Sequence, residues 1–139
     1  MGVEMQIAYE GQLRCRATHE PSGAVLVTDA PLDNGGKAAS FSPTDLVATA
    51  TGACIMTIMG LVAERHNLDL TGTTIRVVKE MVAEPVRRIG ALTITITLPK
   101  GLALGADDRA RLERTAQACP VKHSLHPEVK VIVTFVYPA

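Results

Sequence analysis

Residues 42–66 read SPTDLVATATGACIMTIMGLVAERH, and this stretch decides the fold. Ser42 suits a helix N-cap, and Pro43 suits the first helical position, where a backbone N–H has no partner anyway. Asp45 can return a hydrogen bond to the cap and complement the helix dipole. The pattern predicts a helix from here to about His66. Its middle, Leu46 to Ala63, is apolar or small on nearly every face, so burial on most sides is expected. Three Thr and two Gly interrupt that run, which is short and mixed for a membrane span. No membrane partner is expected. Asn67 to Gly72 is polar enough to end the helix.

Upstream, Val3 to Thr28 suggests two or three strands. Leu13, Cys15 and Ala17 alternate with Arg14, Arg16 and Thr18, a period of two. Glu20-Pro-Ser-Gly23 is a turn signal, and Ala24 to Asp29 reads as a further strand. Asp29 to Ser40, with Pro31, Asn34, Gly35 and Gly36, reads as an exposed loop long enough to be functional. Downstream, Thr73–Glu84 and Ala91–Leu98 look like an antiparallel pair, with Leu92, Ile94, Ile96 and Leu98 alternating against threonines. Glu84 to Gly90 would be the hairpin loop. A second, amphipathic helix is expected from about Gly105 to Ala118, with Leu112, Thr115 and Ala116 inside, ended by Pro120. Val129–Tyr137 reads as a last strand, with Val131, Val133 and Phe135 on one face. The order predicts an α+β fold, helices against a mostly antiparallel sheet. At 139 residues, 47% of them hydrophobic, one domain over 1–139 is expected.

Formal net charge is zero, which argues against a nucleic-acid partner. Two Phe, two Tyr and no Trp are too few for a base-stacking or carbohydrate platform. The first residues lack a basic stretch followed by an apolar run, so no signal peptide is read. The expected compartment is the cytoplasm, where thiols stay reduced unless transiently catalytic.

Three cysteines cannot form a fully paired framework. Cys15 reads as a small core hydrophobe on the inner face of its strand. Cys54, mid-helix, reads from composition alone as a buried core thiol with raised pKa. A functional reading needs a nearby cation and a channel for substrate. Cys119 precedes Pro120 at a helix break, with Lys122 and His123 close in sequence. Backbone N–H groups and those cations would lower its pKa, and an incidental thiol at a helix end is the equal alternative. Cys119, His123 and His126 match no common zinc spacing and lack a fourth ligand, so no metal site is expected. A Cys–His hydrolase would need an orienting third group and an oxyanion hole. Asp33 to Lys37 lacks the P-loop pattern.

Phe41-Ser-Pro-Thr-Asp-Leu46, the small-residue helix ending Gly52-Ala-Cys54, and Ala118-Cys-Pro-Val121 together resemble the OsmC/Ohr proteins (osmotically inducible protein C and organic hydroperoxide resistance protein). Glu80-Met81 and Glu84 to Ile89 resemble the OsmC-like branch. The resemblance spans essentially the whole chain. It implies the OsmC-like α+β fold, with antiparallel sheets packed against a long central helix, in an intertwined homodimer with sites at the subunit interface. It implies that Cys54 is the peroxidatic thiolate, which reduces an organic hydroperoxide and becomes a sulfenic acid. Cys119 would resolve it as a disulfide, and a small dithiol of the dihydrolipoamide kind would reduce the pair. No metal, haem, flavin or other cofactor is implied. The sequence departs from the family where an activating Glu is expected at the helix start: Thr44 stands there, with Asp45 one place later. The family's upstream catalytic Arg has no evident counterpart, Arg14 and Arg16 being the nearest. Lys37, Asp45, Arg87, Arg88 and His123 are the candidate thiolate-activating groups. The alternative function is a low-turnover, stress-associated protein of the same fold, binding a hydrophobic small molecule at the dimer interface.

Overall fold

The computed structural model describes residues 1–139. The chain divides into two compact units, Met1–Val47 and Ala48–Ala139. The boundary falls within the first turns of the long helix.

The first unit is an antiparallel meander of β1 (Met5–Gly11), β2 (Arg14–His19) and β3 (Val25–Asp29). Gly11, Gln12 and Leu13 all take positive φ, which turns the chain tightly between β1 and β2. Leu13 therefore sits in the turn and is exposed, and Cys15 is half-buried rather than a core thiol. A regular strand through Leu13 was expected, and the bulge between Tyr9 and Gly11 is what displaces it. Met5, Ile7, Tyr9, Val25 and Leu26 are all exposed, so this sheet has no apolar core of its own within the single chain.

The loop after β3 carries a single 3-10 turn at Leu32–Asn34. It is pinned by the Asp29 carboxylate, which accepts the Ala39 N–H at 3.0 Å, and by Ala38 N–H on the Ala30 carbonyl at 3.2 Å. Gly36 is obligatory here, because a Cβ would lie 1.8 Å from the Ala30 oxygen.

Helix α1 spans Pro43–Arg65. Its start is a capping box: Asp45 N–H donates to Ser42 Oγ at 3.1 Å, and Ser42 N–H donates to the Asp45 carboxylate at 2.9 Å. The helix does not bury most of its faces in the single chain. Only a stripe is buried, Ala48, Thr51, Gly52, Ile55, Met59 and Ala63, while Leu61 is half exposed. At 23 residues α1 is long and apolar enough to cross a membrane, so the brevity argued from Leu46–Ala63 does not hold. Its buried stripe packs as a core helix does: a Cβ on Gly52 would come within 2.9 Å of Val77 Cγ2.

Val77 belongs to β4 (Thr74–Val82), which pairs antiparallel with β5 (Arg88–Thr97). The β5 side chains Leu92, Ile94 and Ile96 are fully buried and form the centre of the second unit. Each such residue contributes about 1.5–3 kcal/mol by leaving water. Strand β5 begins at Arg88, three residues before the expected Ala91, so Arg88 lies in the sheet opposite Val82 and not in the hairpin loop. Helix α2 (Ala106–Ala116) buries Leu112 and Ala116, with Thr115 only half-buried. Pro120 does more than break it: a short helix α3 (Pro120–Ser124) follows, and β6 (Lys130–Val136) then pairs parallel to β5. The helical crossover permits that parallel pairing, the one departure from an all-antiparallel arrangement.

Candidate functional site

Cys119 owes its conformation to Pro120. The residue before a proline is pushed out of the helical region, and Cys119 takes φ −63°, ψ 120°. That turns its side chain over the start of α3 as the N-cap, and the Lys122 N–H donates to Sγ at 3.4 Å. On its other side the Cys119 thiol donates to the Thr51 carbonyl oxygen at 3.9 Å. Cys119 is fully buried.

Thr51 lies one helical turn before Cys54 on α1. Cys54 and Cys119 are neighbouring free thiols, close enough for Cys54 to perturb the ionisation of Cys119. Cys54 is only half-buried. Burial pushes the Cys119 thiol above its ordinary pKa, and the neighbouring Cys54 adds to the rise, while the Lys122 and Val121 N–H groups oppose it. Lys122 and His123 were expected to lower it through their charge. Instead the Lys122 ammonium hydrogen-bonds Gln117 Oε1, and His123 is exposed, its backbone N–H donating to the Cys119 carbonyl. The pair can therefore serve thiol–disulfide chemistry: one half-buried sulfur, and one buried sulfur held nearby by Thr51 and Lys122.

The remaining candidates are spread over the chain. Lys37 is exposed in the first unit's loop, and its backbone N–H faces the Asp29 carboxylate. Asp45 is engaged in the capping box. Arg87 is exposed in the β4–β5 connection. Arg88 donates to Glu128 at 3.1 Å and to its neighbour's carbonyl, Ile89 O, at 3.0 Å. No group of three His, Cys, Asp or Glu side chains is close enough to hold a metal ion.

Sequence reading missed two features. One is the Thr51 carbonyl, which carries no sequence signal because any residue supplies it. The other is Asp29, a buried carboxylate 3.7 Å from the Arg14 guanidinium. Hydrogen bonding from Ala39 N–H, then the Arg14 charge, hold Asp29 below the usual carboxylate range despite its burial. An acid at the last position of an otherwise apolar strand, just ahead of a Pro/Gly loop, was the available clue.

The family model described as OsmC-like protein matches residues 35–134. A Psychrobacter arcticus protein, solved as a candidate osmotic-stress-induced and detoxification response protein, is 39% identical, with 97% of each chain covered and a TM-score of 0.90. The organic hydroperoxide resistance protein OsmC of Legionella pneumophila is 16% identical, covering 98% of this chain and 97% of its own, with a TM-score of 0.76. An organic hydroperoxide resistance protein of Elizabethkingia anophelis is 15% identical, covering 99% and 96%, with a TM-score of 0.73. The last two share the fold. No curated protein matches the chain in sequence. The family match over 35–134 and a 39% identical relative spanning nearly the whole chain establish that this protein belongs to the OsmC family.

Proposed function

We propose that this protein is a thiol-dependent reductase of organic hydroperoxides, working through Cys54 and Cys119 in defence against oxidative stress. The observation that carries the reading is that a fully buried Cys119 is held on the Thr51 carbonyl, one helical turn before a half-buried Cys54 that neighbours it. The Cys54 thiolate attacks the distal peroxide oxygen, the O–O bond breaks, and an alcohol leaves. Cys54 is then a sulfenic acid. The Cys119 thiol condenses with it, forming the disulfide and releasing water. A small dithiol returns both sulfurs to thiols while its own become a disulfide. The cycle suits a reducing compartment such as the cytoplasm, where such a dithiol persists.

The working form is a homodimer. A three-stranded meander with exposed Ile7 and Tyr9, and a helix with exposed Leu61, leave apolar surface that a second copy would cover. The same apolar surface favours the second reading, a low-turnover protein binding a hydrophobic small molecule at that interface. Steady-state consumption of cumene hydroperoxide with a dithiol separates the two. Turnover that vanishes in Cys54→Ser supports the reductase. A protein that turns over no peroxide yet co-purifies with a stoichiometric apolar ligand overturns it.

A further inference from the structure

The two sulfurs differ in what surrounds them, and that difference bears on how a disulfide between them would be opened. Cys119 is fully buried, with the Thr51 carbonyl on one side and the Lys122 N–H on the other. In the single chain Cys54 is half-buried beside the small, uncharged Ala50, Ala53 and Thr57, whereas Cys119 is closed already, and a partner copy could only close it further. A thiolate attacks a disulfide along the S–S axis, from behind the sulfur it bonds to, so the rate follows which sulfur can be approached. We propose that reductant attacks the disulfide only at Cys54, and that Cys119 is always the leaving sulfur. This rests on the two-cysteine reading above.

The step balances. The attacking thiolate forms a bond to the Cys54 sulfur, the Cys54–Cys119 bond breaks, and its electron pair stays on Cys119. The second thiol of the dithiol then loses its proton and attacks the reductant's own bonded sulfur. Cys54 is released as a thiolate, and the dithiol ends as a disulfide, having supplied two electrons. The departing Cys119 thiolate forms where the Lys122 N–H already points, so its charge meets a fixed donor at once. Protonation restores the thiol and its hydrogen bond to Thr51. Burial works in the opposite sense, since a thiol that is harder to ionise leaves more slowly. Access outweighs this. A slow leaving group lowers a rate, whereas a sulfur with no open approach gives none.

The same arrangement gives the site a direction. Cys119 never meets the reductant, so a mixed disulfide always lies on the residue that must next be freed to meet peroxide. A monothiol should therefore stall the protein with Cys54 blocked and Cys119 free.

The test uses the full chain carrying Cys15→Ser, which removes the third thiol. The disulfide is formed with diamide, so that its formation does not depend on peroxide turnover. It is then opened with limiting 2-mercaptoethanol, quenched in acid, alkylated with N-ethylmaleimide and mapped by mass spectrometry. The expected result is 2-mercaptoethanol on Cys54 and maleimide on Cys119, favoured at least about tenfold over the reverse. An even split, or a majority of mixed disulfide on Cys119, overturns the proposal. Failure of peroxide to form the disulfide would overturn the reductase reading instead, and the diamide experiment would still decide which sulfur is attacked.

Discussion

The Cys119 thiol donates to the Thr51 carbonyl oxygen at 3.9 Å, one helical turn ahead of Cys54. Together with the Lys122 N–H this holds the buried sulfur at a fixed place near the half-buried one. Pro120, not a charged neighbour, creates that geometry, because it forces Cys119 out of the helix and into the cap position.

The Cys119 thiol should titrate above its ordinary value of 9.0, since burial disfavours the thiolate. In a Cys15→Ser, Cys54→Ser chain, thiolate absorbance against pH should have its midpoint above 9.0. The folded pKa lies above the unfolded one, so the stability linked to this group is complete below the unfolded pKa. It is lost as pH rises toward the folded pKa. A midpoint below 8 would show that cations dominate the site.

Replacing Cys119 should separate its structural from its chemical part. Cys119→Ser keeps an acceptor for Lys122 N–H and a donor for Thr51, so stability should change by less than about 1 kcal/mol. Cys119→Ala loses the cap and should cost about 1–2 kcal/mol by urea unfolding. Equal losses in both would mean that the cap contributes nothing.

At Gly52 α1 packs closely on β4, a Cβ there lying 2.9 Å from Val77 Cγ2. Alanine would gain about 1 kcal/mol of helix propensity. It must also push apart a helix and a β-branched neighbour, which costs typically 1–3 kcal/mol. Gly52→Ala should therefore be neutral to destabilising, and Gly52→Val clearly destabilising. A stabilised Gly52→Val protein would contradict the packing.

Asp29 holds its loop through charge-assisted hydrogen bonds, and its pKa is lowered. The sign follows from linkage: its contribution is present above the unfolded carboxylate pKa and is lost as pH falls through the folded value. Asp29→Asn should flatten the acid limb of the stability curve below about pH 4. An unchanged acid limb would remove Asp29 from the account of that loop.

Arg88 is tied to Glu128, so Arg88→Ala should leave kcat/KM for hydroperoxide within about threefold of the parent, under 1 kcal/mol. A loss of a hundredfold or more would make it an activating group.

Much of this was legible in the sequence, and particular residues show why. The alternation Leu92-Ile94-Ile96 marks a buried strand because side chains alternate strictly across a sheet. Ser42, Pro43 and Asp45 mark a helix start because capping is local chemistry. Most of the failures are non-local. Composition could not say which face of α1 is buried, because nearly every residue on it is apolar. Nor could it foresee that Leu13 would fall in a turn of three positive-φ residues. For the site, Cys119 stood out by its Pro120. Cys54 looked like core, since its nearness to Cys119 depends on how α1 and α3 come together. The partners of Lys122 and Arg88 are likewise tertiary, and this is why proximity in sequence overrated Lys122 and His123.

In the proposed cycle Cys54 and Cys119 form one redox pair. The most direct measurement is non-reducing peptide mapping after one equivalent of cumene hydroperoxide. The predicted result is a single Cys54–Cys119 linked peptide, with two thiols lost per chain and Cys15 still free. Cys54 recovered as sulfinic acid with Cys119 still a free thiol, or Cys54 linked to Cys15, would contradict it.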